Sequence, residues 1–257
     1  MLVPLVVIDA IPVALGVPVA ALLGLCFGSF VTLASYRLPR GEPILMGRSR
    51  CPSCGAALGI RDLVPVLSWP MSRRRCRHCA APVSPRYALI ELFLGGVFVG
   101  LYHYLGATPA LALLAALAVG LVTLAVTDLE AGIIPDKVLL VLAPLGMAYQ
   151  YLTGDVVLGL IGGGFAGAVA YGVGYGFKRL RGRDALGLGD VKFFVMAGIW
   201  LGPFGLPVFM IASGLAGIGF ALVWRRLGGG QVFPFGPALA LGLFACLLFP
   251  EFAHLLV

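Results

Sequence analysis

The sequence predicts an all-α polytopic membrane protein, with about eight transmembrane helices and a small zinc-knuckle cytoplasmic domain between helices one and two. Three observations carry that prediction. The 257 residues are 60% hydrophobic and 11% charged, with mean hydropathy +1.03, whereas a soluble domain is nearer half apolar and a quarter charged. Apolar stretches of the about 17–25 residues needed to cross a bilayer recur along the chain. The Lys and Arg residues fall between alternate stretches.

The eight candidate segments run at roughly 13–36, 86–105, 109–128, 136–153, 156–177, 188–202, 204–225 and 232–250. The N-terminus carries Asp9 in place of a basic region and lacks a small-x-small cleavage site after a short core, so Leu15–Tyr36 reads as a retained helix rather than a signal peptide. The third segment ends at Asp128. The fourth begins at Asp136, after Ile134-Pro135, where Asp suits a helix N-terminus. The sixth is the shortest and starts near Asp190. Gly202-Pro203 separates it from the seventh, so these two read as separate segments or as one broken helix. Glycine numbers 37, with runs at Gly162–Gly164 and at Gly172, Gly174 and Gly176. Small residues let membrane helices approach closely, and packing is the reading for most of them.

Charge fixes an orientation. Ten of the 18 Lys and Arg residues lie between segments one and two, and the rest sit at Lys137, at Lys178–Arg183, at Lys192 and at Arg225-Arg226. With eight segments all of these share one side, and the opposite loops near Gly106, Gly154 and Pro203 have none. The positive-inside rule makes that side cytoplasmic and puts both termini outside. The net charge of +7 is therefore a topology signal that also favours anionic lipid, and it is not an indication of nucleic-acid binding. The domains expected are 1–36 (first helix), 37–86 (cytoplasmic loop domain) and 87–257 (seven helices).

The loop 37–86 holds four of the six cysteines, as Cys51-Pro-Ser-Cys54 and Cys76-Arg-His-Cys79. Two such knuckles form a tetrahedral zinc signature. A cytoplasmic segment of this size cannot bury enough apolar surface to fold without a staple, and its compartment disfavours disulfides. Four thiolates leave no open ligand position, so the metal is read as structural. His78 lies inside the second knuckle as an alternative ligand. Cys26 and Cys246, in apolar helices, read as small buried hydrophobes. His103 and His254 read as interfacial, and Glu42, Asp62, Glu130 and Asp184 as solvated loop charges.

Asp128 and Asp190 stand at the ends of apolar segments, and both fall at the cytoplasmic boundary. A carboxylate in or beside hydrocarbon costs on the order of 3 kcal/mol, which makes it a functional candidate. Two close carboxylates share a proton, so one can activate water while the other donates to a carbonyl oxygen, as peptide hydrolysis requires. Gly187 and Gly189 would leave room for a substrate backbone. Helix capping competes with catalysis. It suits Asp190, and it suits Asp128 poorly because a carboxylate at its own helix C-terminus opposes the dipole. An ion pathway is a third reading.

The motifs as a set identify a family. Gly28-Ser29-Phe30 with Tyr36-Arg37-Leu38-Pro39, the double knuckle, Ser84-Pro85-Arg86-Tyr87 with Glu91, Thr127-Asp128-Leu129 through Ile134-Pro135-Asp136, Gly187-Leu188-Gly189-Asp190-Val191-Lys192, and Pro234-Phe235-Gly236-Pro237 together resemble the bacterial prepilin peptidases, or type IV leader peptidases. The resemblance spans about residues 24–240. It implies a GxGD intramembrane aspartyl protease of the bacterial inner membrane with Asp128 and Asp190 as its dyad. That protease would cleave the basic leader of type IV prepilins or pseudopilins after a glycine. It also implies methylation of the new N-terminus with S-adenosylmethionine, with Gly28, Ser29, Arg37 and Glu91 as cofactor-binding candidates, and zinc on Cys51, Cys54, Cys76 and Cys79. Arg74 departs from the family, whose members commonly have glycine two residues before the third cysteine, and Leu63-Val64-Pro65 replaces Asn-Ile-Pro. Arg74 bears on methylation and leaves open a peptidase that does not methylate. A transporter with intramembrane carboxylates fits less well, because no inverted repeat of interrupted helices is visible.

Overall fold

The structure, a computed structural model, describes residues 12–182, 186–228 and 233–250. Asp9, Asp184 and His254 lie outside the described residues. The elements in order are α1 (Val13–Arg37), the one-turn α2 (Ser68–Met71), α3 (Arg86–Leu105), α4 (Pro109–Ala131), α5 (Asp136–Thr153), α6 (Val156–Arg181), α7 (Leu188–Arg226) and α8 (Gly236–Leu248), with short 3-10 turns at Leu38–Arg40 and Ile60–Asp62. Among the described residues α1, α3, α4, α6 and α7 are long and apolar enough to cross a membrane, and α8 is a shorter apolar helix. The expected eight crossings therefore require α5, α8 and both arms of α7 each to span.

The 39 residues of α7 would measure about 58 Å as one straight helix, twice the hydrocarbon thickness. The chain instead turns back at Gly202, whose φ of 66° and ψ of −179° interrupt the helix just before Pro203. Phe193 and Phe209 stack with centroids 6.4 Å apart, and Phe194 meets Phe209 edge-on at 5.3 Å. In an unbroken helix sixteen residues would separate them by about 24 Å. Residues 188–201 and 203–226 are thus two antiparallel arms, as the Gly-Pro pair in the sequence allowed.

The chain divides into two compact units, with the boundary inside α4 after Val119. In the N-terminal unit α1 packs along α3 through small residues one turn apart, Gly16, Ala20, Gly24 and Gly28. A Cβ on Gly24 would lie 2.5 Å from the Leu94 carbonyl oxygen, and one on Gly28 would strike the Cα of Glu91. Such close backbone approach substitutes for the hydrophobic driving force that lipid removes.

In the C-terminal unit α6 presents Gly159, Gly162, Gly163 and Ala166 to the first arm of α7, and a Cβ on Gly162 would sit 2.5 Å from the Gly198 carbonyl oxygen. Asp155 caps α6 by accepting the Val157 N–H at 2.7 Å. Trp200, fully buried, donates its indole N–H to the Leu142 carbonyl at 2.9 Å, and Gln150 donates to the Trp200 carbonyl at 3.0 Å next to the break. The Gln150 bond satisfies a carbonyl that the interrupted helix leaves over and that hydrocarbon cannot hydrate. Outer faces are apolar as well, with Leu22, Leu92, Leu215 and Ile218 exposed, as lipid-facing helices require. Cys26 is exposed on such a face and Cys246 half-buried, so the reading of both as buried hydrophobes is corrected.

Candidate active site and metal centre

Asp128 lies in the last turn of α4, before Gly132 closes the helix by donating its N–H to the Asp128 carbonyl at 2.8 Å. Its side chain is buried, and Oδ2 accepts the backbone N–H of Gly236 at 2.7 Å. Gly236 opens α8. The carboxylate that opposes its own helix dipole thus sits at the N-terminus of another helix, where amide donors and dipole favour an anion. The argument against Asp128 as a cap counted only the local helix and is corrected. A Cβ on Gly236 would come 2.7 Å from Oδ2 and 2.9 Å from the Asp128 Cβ, so the contact depends on glycine.

Asp190 stands in the first turn of α7, where Oδ2 accepts the Gly187 N–H at 3.1 Å and ties off the Gly187-Leu188-Gly189 turn. It is half-buried, and Asp128 lies near enough for its charge to be felt there. The structure therefore brings the two sequence-predicted aspartates together. The space at Gly189 is taken by Ile134, whose Cβ lies 3.1 Å from where a Cβ would be, and Gly187 faces the Asp190 carboxylate. Gly189 thus fits the chain to itself, while Gly187 stays exposed beside the carboxylate. Lys192 adds an ion pair to Asp136 at 2.7 Å, joining the start of α7 to the start of α5. Both of these carriers were visible as motif residues, but nothing in the sequence paired them.

The four cysteines converge with their sulfurs all within 4.8 Å of one another, and Cys51 Sγ lies 3.9 Å from Cys79 Sγ. A tetrahedral zinc with 2.3 Å bonds sets sulfur–sulfur edges of about 3.8 Å, so the donor set fits that metal. The two knuckles repeat each other. Cys51 N–H bonds to the Ala56 carbonyl and Cys76 N–H to that of Ala81, while Gly55 and Ala80 each donate back to the first cysteine of their knuckle. Both close with left-handed backbone, at φ 71° for Gly55 and 57° for Ala80. Backbone N–H groups of Cys54 and Ser53 pull the Cys51 thiol down to about 6. Ala81's N–H acts the same way on Cys79, but desolvation and the neighbouring sulfurs outweigh it and push that thiol up to about 11. Packed thiols repel a second thiolate, which is the charge a divalent cation neutralises. His78 stands outside this cluster.

The other candidates divide. Arg37 is buried and donates to the carbonyl oxygens of Pro43, Ile44, Met46, Gly47 and Arg48 at 2.9–3.5 Å, so its guanidinium shapes the loop rather than waiting for a ligand. Gly28 is the α1–α3 crossing point described above. Glu91, buried on α3, accepts the Val66 N–H at 2.6 Å and the Ser29 hydroxyl. Ser29, Arg37 and Glu91 line one cavity of about 590 Å³ in the N-terminal unit. Asp62, expected to be solvated, instead pairs with Arg77 at 2.9 Å and accepts the Gly59 N–H. Arg74 has φ 62° and follows Arg73 at φ 53°, with its guanidinium 4.6 Å over the Trp69 ring.

Residues 115–222 match the type IV leader peptidase family, and residues 22–105 match the bacterial peptidase A24 N-terminal domain. The chain is similar to a prepilin leader peptidase/N-methyltransferase of Burkholderia pseudomallei, with 32% identity covering 99% of this chain and 92% of that protein. It is 34% identical to one from Aeromonas hydrophila, over 90% of this chain and 89% of that protein. A third, from Dickeya chrysanthemi, is 36% identical over 85% and 87%. No solved structure matches the chain.

Proposed function

Because the chain belongs to the type IV leader peptidase family, we propose that it is an intramembrane aspartyl endopeptidase that removes the leader of type IV prepilins or pseudopilins with Asp128 and Asp190, and that it then methylates the exposed amino terminus. The observation that carries this reading is that each carboxylate is held at a helix N-terminus, Asp128 at that of α8 and Asp190 at that of α7, near enough for the charge of one to be felt at the other. Two carboxylates near each other in a partly desolvated site favour a shared proton. The ionised carboxylate takes a proton from the attacking water, and the protonated one donates to the scissile carbonyl oxygen. The amide of Gly236 and that of Gly187 hold each carboxylate in one orientation, which supplies much of what catalysis by positioning needs.

Zinc on Cys51, Cys54, Cys76 and Cys79 would act as a fold element, cross-linking the loop without an open coordination site. S-adenosylmethionine, when bound, would supply an electrophilic methyl group. The charge distribution supports a bacterial inner-membrane protein whose zinc loop and dyad lie on the cytoplasmic side with both termini outside, the side on which a prepilin's basic leader is retained.

The test is to incubate purified enzyme with a synthetic prepilin, with and without S-adenosylmethionine, and to weigh the products. Cleavage after the glycine, plus one methyl group only when the donor is present, is the expected result. Absence of cleavage removes the peptidase reading. A second reading, cleavage without methylation, is favoured by one observation: Arg74 holds a left-handed backbone position that glycine would fill without strain.

A further inference from the structure

Outside the long helices, the segment 60–71 of the N-terminal unit leaves large apolar side chains uncovered. It folds as the 3-10 turn Ile60–Asp62, a bend, and the one turn of α2 at Ser68–Met71. Leu63 and Trp69 line the cavity of this unit, whereas Ile60, Val64, Leu67 and Met71 are not on its wall. Those four remain exposed, Ile60 by 87% and Leu67 by 58%. A run of uncovered apolar residues of this kind marks a surface that something covers.

Two hydrogen bonds fix where the segment stands along the helices. The Val66 N–H donates to Glu91 Oε2 at 2.6 Å, and the Trp69 indole N–H donates at 3.0 Å to the carbonyl of Val83, just before α3. The 20 residues of α3, Arg86–Leu105, measure about 30 Å, the thickness of the hydrocarbon, which leaves no slack. Arg86 therefore marks one edge of the hydrocarbon, and Glu91 lies about 7–8 Å inside it. A helical side chain leans back toward its own N-terminus, so Glu91 reaches toward that edge and meets Val66 there. On the same stretch of α3, Leu89, Leu92 and Phe93 are exposed, so the helix surface at this level faces lipid. Gly28 of α1 abuts the Cα of Glu91, and α1 continues to Arg37, about 13–14 Å farther toward the loop. Arg37 and the Met46 carbonyl that it holds at 3.0 Å thus stand clear of the hydrocarbon.

Charge agrees with this placement. The one acid of the segment, Asp62, is paired with Arg77. Arg61 and Arg73 are exposed, and Trp69 is covered by Arg74 at 4.6 Å. Tryptophan and basic residues at a bilayer edge suit the headgroup level and anionic lipid.

We propose that residues 60–71 are an interfacial anchor, with Ile60, Val64, Leu67 and Met71 seated among the acyl chains of the leaflet on the loop's side. A segment of this kind lies in the plane of the interface with its apolar side buried. The loop that carries the knuckles is then bound to the bilayer through its own surface, and not only through the ends of α1 and α3. This rests on those two helices crossing the membrane and is independent of the reaction that the chain carries out.

The test uses the full-length protein in nanodiscs of phosphatidylethanolamine and phosphatidylglycerol. The protein itself leaves Met71 and Met46 similarly exposed, at 66% and 75%. Hydroxyl radicals generated in water would then oxidise both alike unless lipid intervenes. The anchor predicts that Met71 is oxidised about fivefold or more slowly than Met46, since oxidation follows exposure. Equal rates overturn the proposal. A second arm places the photoreactive residue benzoylphenylalanine in place of Leu67, of Leu92 on α3, or of Ser53, which is exposed in the first knuckle. Intact mass reports what each one captures. The Leu67 site should capture lipid within about threefold of the yield at Leu92 and well above that at Ser53. A Leu67 yield no higher than that at Ser53 overturns the anchor, and so does capture of a second copy of the chain in place of lipid. If the Leu67 variant does not fold, the oxidation of the unmodified protein decides.

Discussion

The amide of Gly236 donates to the carboxylate of Asp128 at 2.7 Å across 108 positions of sequence, and the glycine has no room for a side chain beside it. This bond places the N-terminal end of α8 against a buried acid, so α8 helps to build the proposed dyad although it contributes no acidic group of its own. Gly236→Ala should push the Asp128 carboxylate aside. Cleavage is expected to fall by about 100-fold, the scale of misplacing a catalytic group by an ångström, while the protein remains inserted. Initial cleavage rates on a prepilin substrate check this, and wild-type turnover would show that the contact is dispensable.

Asp128→Asn and Asp190→Asn should each abolish cleavage, since an amide keeps the shape of the carboxyl but cannot exchange its proton. The double variant should be no slower than either single one, because residues acting as a unit are not additive. Single-turnover assays at high enzyme concentration would expose residual activity.

Metal analysis should return one zinc per chain. Uptake must displace protons from thiols, and Cys79, pushed up to about 11, is the hardest to empty, so zinc affinity should weaken as pH falls. Replacing any one of Cys51, Cys54, Cys76 or Cys79 with Ser should open the segment 37–86 to added protease while the helices stay intact. Protein that lacks metal yet resists protease in this segment would contradict the structural role.

Ala80 and Arg74 occupy left-handed backbone positions, at φ 57° and 62°, which cost an L-residue roughly 1–2 kcal/mol. Ala80→Gly should therefore strengthen the loop by up to about 1 kcal/mol after the entropic penalty of glycine is deducted. Arg74→Gly should gain less, because it loses the stacking over Trp69, worth about 0.5–1 kcal/mol at an exposed site. Resistance of the loop to chelator measures both. If Arg74→Gly also raises methylation, the side chain had been obstructing that activity.

By itself the sequence determined the fold class, the places of the helices and the two knuckles, and it singled out both aspartates as candidates. Those follow from quantities local to the chain: apolar length against bilayer thickness, the spacing of cysteines, and the expense of a charge beside hydrocarbon. Even the hairpin in α7 was announced by Gly202-Pro203, although only the stacking of Phe193 on Phe209 chose two arms over one bent helix. Tertiary structure decided what each group touches. Asp128 looked wrongly placed for its own helix until α8 arrived, and Asp62 looked solvated until Arg77 closed on it. Gly189 proved to accommodate Ile134, and Glu91 proved to hold the amide of Val66, 25 positions away. Long-range pairing depends on which distant segments fold against each other, and local periodicity, capping and hydropathy are silent about that.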